Sequence, residues 1–112
     1  MRALSIRQPY VEEILRGIKT MEFRPKRCWI FNERFYIYAA QKPAKRRGIA
    51  QCFARLGVEP DELPMGLIVG TAIITKCTRR GETYRWHLAD VRRLKRPRKP
   101  INKPQPSWFD PF

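Results

Sequence analysis

The chain has 112 residues, with 24 Lys and Arg against 10 Asp and Glu, a formal charge of +14 and an isoelectric point near 10.6. One domain is expected at this length, and 43% hydrophobic with 12% aromatic residues is enough for a modest core, which excludes wholesale disorder. The longest apolar stretch, Leu67–Ile74, is interrupted by Gly70 and Thr71 and falls far short of the roughly 20 residues that a membrane span needs.

In chain order, Ala3–Ile6 is predicted as a short strand. Arg7-Gln8-Pro9-Tyr10 leads into a short helix, with Pro9 at the first helical position, where its missing N–H costs nothing. Tyr10, Val11, Ile14 and Leu15 recur at helical spacing and are expected against the core. Glu12 and Glu13 in the first turn and Arg16 in the last suit the helix dipole, and Gly17 is placed to end the helix in a positive-φ conformation. Thr20–Arg24 reads as a strand ended by Pro25, with Met21 and Phe23 on the core face and Thr20, Glu22 and Arg24 on the other.

Arg34–Ala40 is a stronger strand, rich in aromatic residues. Residues 47–56 carry Ile49, Ala50, Phe53 and Leu56 at helical spacing, closed by Gly57; Val58–Met65, with Pro60 and Pro64, is a turn region. Leu67–Cys77 is apolar on both parities and is predicted as a strand buried on both faces. A hairpin turn at Arg79–Glu82 leads to a half-exposed strand in which Tyr84, Trp86 and Leu88 alternate with Arg85 and His87. Beyond Val91, prolines at 97, 100, 104, 106 and 111 exclude regular helix or central strand, so that segment is expected to run extended over the surface, pinned by Ile101, Trp108 and Phe109. The expected fold class is α+β: a small, mostly antiparallel β-barrel over residues 1–91 with one or two flanking helices. Residues 92–112 are read as a basic, Pro-rich extension packed on the barrel or closing it.

Several chemistries drop out. Cys28, Cys52 and Cys77 form no CxxC pair, and with His87 as the single histidine their spacings suit no common zinc finger; reduced, buried thiols and no metal are expected. Ser5 and Ser107 are the only serines, neither in a nucleophile elbow, and no Gly-rich phosphate loop is present. No organic cofactor is implied. Arg7 and Gln8 interrupt the N-terminus before an apolar signal region can form, so a soluble, cytoplasmic protein with no membrane partner is expected.

The positive charge is concentrated. Residues 92–103 hold seven basic side chains and no acidic one, and the remainder still carries +7; Lys42, Lys45, Arg46 and Arg47 form a second cluster. A field of this sign gathers polyanions and speeds their encounter. Lys45, Arg46, Arg47, Lys95, Arg96, Arg98 and Lys99 are therefore candidate phosphate contacts.

Residues 4–24 carry the most information. Ser5-Ile6-Arg7-Gln8-Pro9-Tyr10 and the spaced set Gly17, Lys19, Glu22 and Arg24 (G-x-K-x-x-E-x-R) resemble the two signatures of the ASCH domain family, a branch of the PUA-like β-barrel superfold. The Tyr36–Ala40 strand, the Met65–Gly70 strand start and Trp86 also look like the family pattern, so the resemblance runs to about residue 91, with a weaker match in the tail. It implies a PUA-like barrel with a ligand cleft at these motif positions.

Read from the residues themselves, Arg7, Gln8, Tyr10, Lys19, Thr20, Glu22 and Arg24 are expected around one polar depression, walled by Tyr10 and Trp86. Gln8 offers an amide edge, Glu22 an acceptor for an exocyclic amine, the aromatics a stacking face, and Lys19 or Arg24 a phosphate contact. The bland alternative is that Glu22 pairs with Lys19 or Arg24 and Gln8 caps a backbone group. On one regular strand Lys19 and Glu22 would diverge; they converge only if Lys19 sits in the turn before it.

An RNA-binding module, with DNA as an alternative polymer, is the first functional expectation. A small hydrolase acting on RNA or on a modified nucleoside is the second, with Lys19 as base, Glu22 as proton shuttle and Thr20 as nucleophile or water-orienting group. An adaptor that docks a protein through the prolines and Trp108 of the tail is the third. A monomer is the default.

Overall fold

The computed structural model describes every residue from Met1 to Phe112 and has six strands and two short α-helices, the expected α+β class. β1 (Ala3–Ile6) runs into α1 (Tyr10–Leu15), followed by β2 (Met21–Arg24), β3 (Phe35–Ala39) and α2 (Ile49–Leu56). One turn of 3-10 helix at Pro60–Glu62 precedes the long hairpin of β4 (Leu67–Arg80) and β5 (Thr83–Arg98), and β6 (Trp108–Phe109) comes last. No helix is long and apolar enough to cross a membrane.

The strands form one sheet in the order β2-β5-β4-β3-β1-β6, antiparallel except for the parallel β1–β3 pair. The end strands β2 and β6 do not pair, so the sheet is open and the expected closed barrel is corrected. β2 has four residues and β6 two, and each pairs on one edge only, with β5 and β1. Side chains bridge the ends instead. Arg24 of β2 donates from Nη2 to the Ser5 carbonyl of β1 at 2.8 Å, and Trp86 of β5 stacks on Trp108 of β6 with ring centroids 6.0 Å apart. Phe35 meets the same Trp108 edge-on at 5.1 Å.

Alternation along β3 divides the core. Phe35, Ile37 and Ala39 join Leu4, Ile6, Val11, Ile14, Ile74 and Trp86 on the inner face, where α1 packs. Tyr38 points the other way and packs with Ala3, Ile68 and Phe109. Burial of Val11 and Ile14 follows from the helical spacing, and Gly17 takes the positive φ (+78°) that ends α1. Pro9 precedes the helix instead of opening it. Glu12, expected only to face the dipole, is buried and clamped by Arg93 of β5 and by Arg16.

Four further expectations are corrected. On β2 the faces are inverted: Glu22 is buried and Phe23 is 45% exposed, because the inner face at this edge opens into a polar cleft rather than an apolar core. β5 runs on through Val91 to Arg98 despite Pro97. Past Leu88 its only strand partner is β4, and a strand paired on one side tolerates proline. Of the three unpaired cysteines only Cys28 is buried; Cys52 and Cys77 are half-buried. The tail does not simply lie on the surface: β6 pairs with β1 and buries Phe109, while Trp108 is committed to the indole stack.

Candidate functional site

The centre of the site lies on β2 and the turn before it. Once Gly17 has turned the chain out of α1, the amides of Ile18 and Lys19 both donate to the Glu13 carbonyl, at 2.9 and 3.1 Å. Lys19 is thereby fixed two residues before β2 begins, and its Nζ reaches Glu22 Oε1 at 3.6 Å. The other oxygen, Oε2, accepts from Arg24 Nη2 at 3.1 Å. A buried carboxylate is thus held between two cations, and one of these also ties β2 to β1 through Ser5.

Tyr10 stands beside this trio. Lys19 Nζ lies 4.6 Å from its ring centroid and the Arg46 guanidinium 5.6 Å from the same ring, both within cation–π range. Its phenolic oxygen is buried and has no partner within the protein. Burial pushes the Tyr10 phenol up, and the opposing pull of Arg46 does not reverse this, so the hydroxyl keeps its proton at neutral pH and stands as a donor without an acceptor.

A cleft of about 630 Å³ opens here. Its walls are Ser5, Arg7 and Tyr10, then Glu22–Arg24, then Tyr38, Ala40 and Gln41, and finally Lys103–Ser107 of the segment leading into β6. The cleft therefore occupies the gap where the two ends of the sheet fail to pair. Glu22 is its only carboxylate, Arg7, Arg24 and Lys103 are its cations, and Gln41 and Gln105 supply its side-chain amides. The size falls within the range usual for ligand sites, about 300–1,000 Å³.

Of the residues expected at the site, Arg7, Tyr10, Glu22 and Arg24 line the cleft together, and Lys19 stands behind Glu22. Gln8 does not join them. It is 0% exposed; its Nε2 donates to the Pro64 carbonyl at 3.0 Å and its Oε1 accepts from the Glu12 amide at 3.0 Å, so it pins the loop before β4 to α1. Trp86 is also corrected: at 3% exposure, with Nε1 donating to the Lys26 carbonyl at 3.0 Å and its ring on Trp108, it is a core residue and presents no free stacking face. Thr20 is exposed and outside the cleft lining, and its carbonyl accepts from the Leu88 amide at 2.9 Å.

In the basic clusters, Arg46 reaches the Tyr10 ring, and Lys45 and Arg47 are exposed beside it in sequence. Lys95, Arg96, Arg98 and Lys99 are all exposed; Arg98 in addition lies against Phe112 at 4.1 Å and reaches the Tyr36 hydroxyl at 3.3 Å. Gln41, Lys103 and Gln105 were not anticipated. Only long-range pairing of β1 with β3 and β6 brings them to the cleft, and no local pattern announces that pairing.

The family model of the ASCH domain matches residues 4–109 of the 112. No curated protein matches the chain.

Proposed function

The chain belongs to the ASCH domain family, and from that membership we propose that it is an RNA-binding module whose ligand lies in the cleft between β2 and the segment leading into β6. The observation that carries this reading is Glu22: a lone carboxylate, oriented by Lys19 and Arg24, in a cleft whose other polar groups are cations, amides and hydroxyls. A carboxylate in that setting accepts from an exocyclic base amine, the amides of Gln41 and Gln105 suit base edges, and Arg7, Arg24 and Lys103 suit phosphates. The unpartnered Tyr10 hydroxyl is a donor for a ligand acceptor. Lys45, Arg46 and Arg47, with Lys95, Arg96 and Lys99, extend the positive surface well beyond what a nucleoside needs and favour a polymer. The hydrolytic alternative needs Thr20 at the reacting centre beside Lys19 and Glu22, and the exposure of Thr20 outside the cleft counts against it.

The test is a short, end-labelled single-stranded RNA incubated with the protein at low and moderate salt, with mobility and chain integrity read on the same samples. A salt-sensitive shift with intact RNA, weakened in folded Lys19→Ala, is the expected result. Shortened RNA that stays intact with Lys19→Ala would make the protein a ribonuclease instead. No shift at low salt would remove the RNA reading. A DNA strand of the same sequence run in parallel identifies the preferred polymer.

A further inference from the structure

Between β2 and β3 the chain makes a loop over residues 25–34 that leaves two aromatic side chains in the open. Trp29 is 77% exposed and Phe31 40%, while Cys28, just before them, and Trp86 are buried. The loop is held at three points: the Trp86 indole donates to the Lys26 carbonyl at 3.0 Å, the Cys28 thiol to the Ile30 carbonyl at 3.4 Å, and the Asn32 amide to the Ile74 carbonyl at 2.8 Å. Alternation along this anchored segment turns Cys28 and Ile30 inward and Trp29 and Phe31 outward. An indole left this exposed on an anchored backbone adds little to the core and is available to a partner.

Cations are interleaved with these rings. The Arg27 guanidinium lies 5.5 Å from the Trp29 centroid and 5.7 Å from that of Tyr84. Tyr84 stands directly opposite Arg79 on β4 and opposite Arg24 on β2. Arg24 lines the cleft, so a line of alternating charge and aromatic surface runs from the cleft through Arg24, Tyr84 and Arg27 to Trp29. Residues 25–32 include Lys26 and Arg27 and no acid; Glu33, the first carboxylate after them, is engaged by Arg2 at 3.1 Å.

We infer that Trp29, with Arg27 and Tyr84, is a second contact for single-stranded RNA: a base-stacking platform outside the cleft that takes a nucleotide of the same strand whose neighbour occupies the cleft. This rests on the RNA reading of the cleft. Bases of any identity stack on an indole, and arginine beside it meets the adjoining phosphate, so the platform lengthens the footprint without adding base preference. A protein partner would also bury an exposed tryptophan, but rings flanked by Lys26 and Arg27, on a chain of charge +14, fit a polyanion.

The experiment measures affinities of labelled single-stranded RNAs of increasing length, from a mononucleotide upward, for the wild type and for Trp29→Ala, Trp29→Phe and Lys19→Ala. Trp29→Ala should weaken the longer strands by about fivefold or more, the usual scale for one stacked base, and leave the mononucleotide unchanged. Trp29→Phe should restore part of the loss, and Lys19→Ala should weaken every length. Acrylamide quenching of tryptophan fluorescence, which reads mainly the exposed Trp29, should fall when a long strand is bound and not when a mononucleotide is. Equal affinity of Trp29→Ala and wild type at every length would overturn the platform, leave the cleft reading standing and return Trp29 to a protein contact. An equal loss on the mononucleotide would also overturn it, because Trp29 would then act on the cleft itself. Wild-type protein that binds no RNA at any length would remove both readings.

Discussion

Arg93 and Glu12, 81 residues apart in the chain, meet as a fork on a carboxylate, Nη1 on Oε1 and Nη2 on Oε2, each at 3.0 Å. This pair locks the single helix of the inner face to the long strand β5, and Arg16 adds a third bond at 2.7 Å from the helix itself. Arg93→Ala leaves a buried carboxylate with one cation fewer. The guanidinium is half exposed, so the expected loss is modest, about 1–2 kcal/mol of unfolding free energy, read as a lower urea midpoint at unchanged slope.

The same carboxylate gives the fold an acid sensitivity. Burial pushes Glu12 up, but the hydrogen bonds and charges of Arg93 and Arg16 outweigh it and hold the carboxyl below its ordinary value. The folded state therefore binds fewer protons than the unfolded one between the two values. The stability this brings is complete above the unfolded value, about 4.3, and is lost as pH falls through the folded one. Thermal unfolding followed from pH 6 down to pH 3 should show a falling midpoint, and the fall should be shallower in Glu12→Gln, whose midpoint at pH 6 is already reduced.

Trp108→Ala removes the indole that stacks on Trp86 and meets Phe35, the apolar bridge between sheet ends that no ladder joins. A loss of about 3–4 kcal/mol is expected, the scale of a large-to-small change in a packed site. Chemical denaturation checks it, and exposure of Trp86 should appear as a red-shifted emission of the remaining tryptophans.

Gly70→Ala tests how closely β4 is packed. A Cβ at this position would stand 2.7 Å from the Arg92 carbonyl oxygen on the neighbouring strand and 2.7 Å from Leu15 Cδ2. The leucine can turn away and the carbonyl cannot, so the change should destabilise by about 1–3 kcal/mol. An unchanged melting temperature would mean that the β4–β5 register shifts beside Gly70 yield without cost.

Lys95, Arg96 and Lys99 are exposed and free of the packing that holds Arg98 on Phe112 and Tyr36. Their joint replacement by Gln should leave the fold intact and flatten the dependence of log K on log salt by up to about 2 for single-stranded RNA, roughly 0.7 for each phosphate that is no longer neutralised. An unchanged slope would take these three residues out of the RNA path.

Local pattern made much of the frame legible. The apolar spacing of Val11 and Ile14 placed the inner side of α1, and the need for Lys19 to precede its strand if it was to meet Glu22 matches the geometry found. Alternation misassigned β2, because the rule that apolar residues face inward fails at an edge that opens into a cleft: there Glu22 is buried between two cations and Phe23 is left 45% exposed at the cleft wall. Pro97 concealed the length of β5, since the proline rule applies to strands flanked on both sides. Gln8 and Trp86 were misplaced for a common reason: a buried amide and a buried indole are recognisable only from their partners, Pro64 and Glu12 in one case and Lys26 and Trp108 in the other, and all but Glu12 lie far away in sequence.

The pairing of β1 with β6 has a temporal consequence. On one edge Ala3 and Leu4 pair with Tyr36 and Ile37, but on the other they pair with residues 109 and 108, and the segment just before β6 supplies one wall of the cleft. During synthesis β1 therefore keeps one edge bare until residues 108 and 109 have been made. The cleft is thus complete only once contacts more than 100 residues apart in sequence have formed, and loop closure over that separation makes its completion slow.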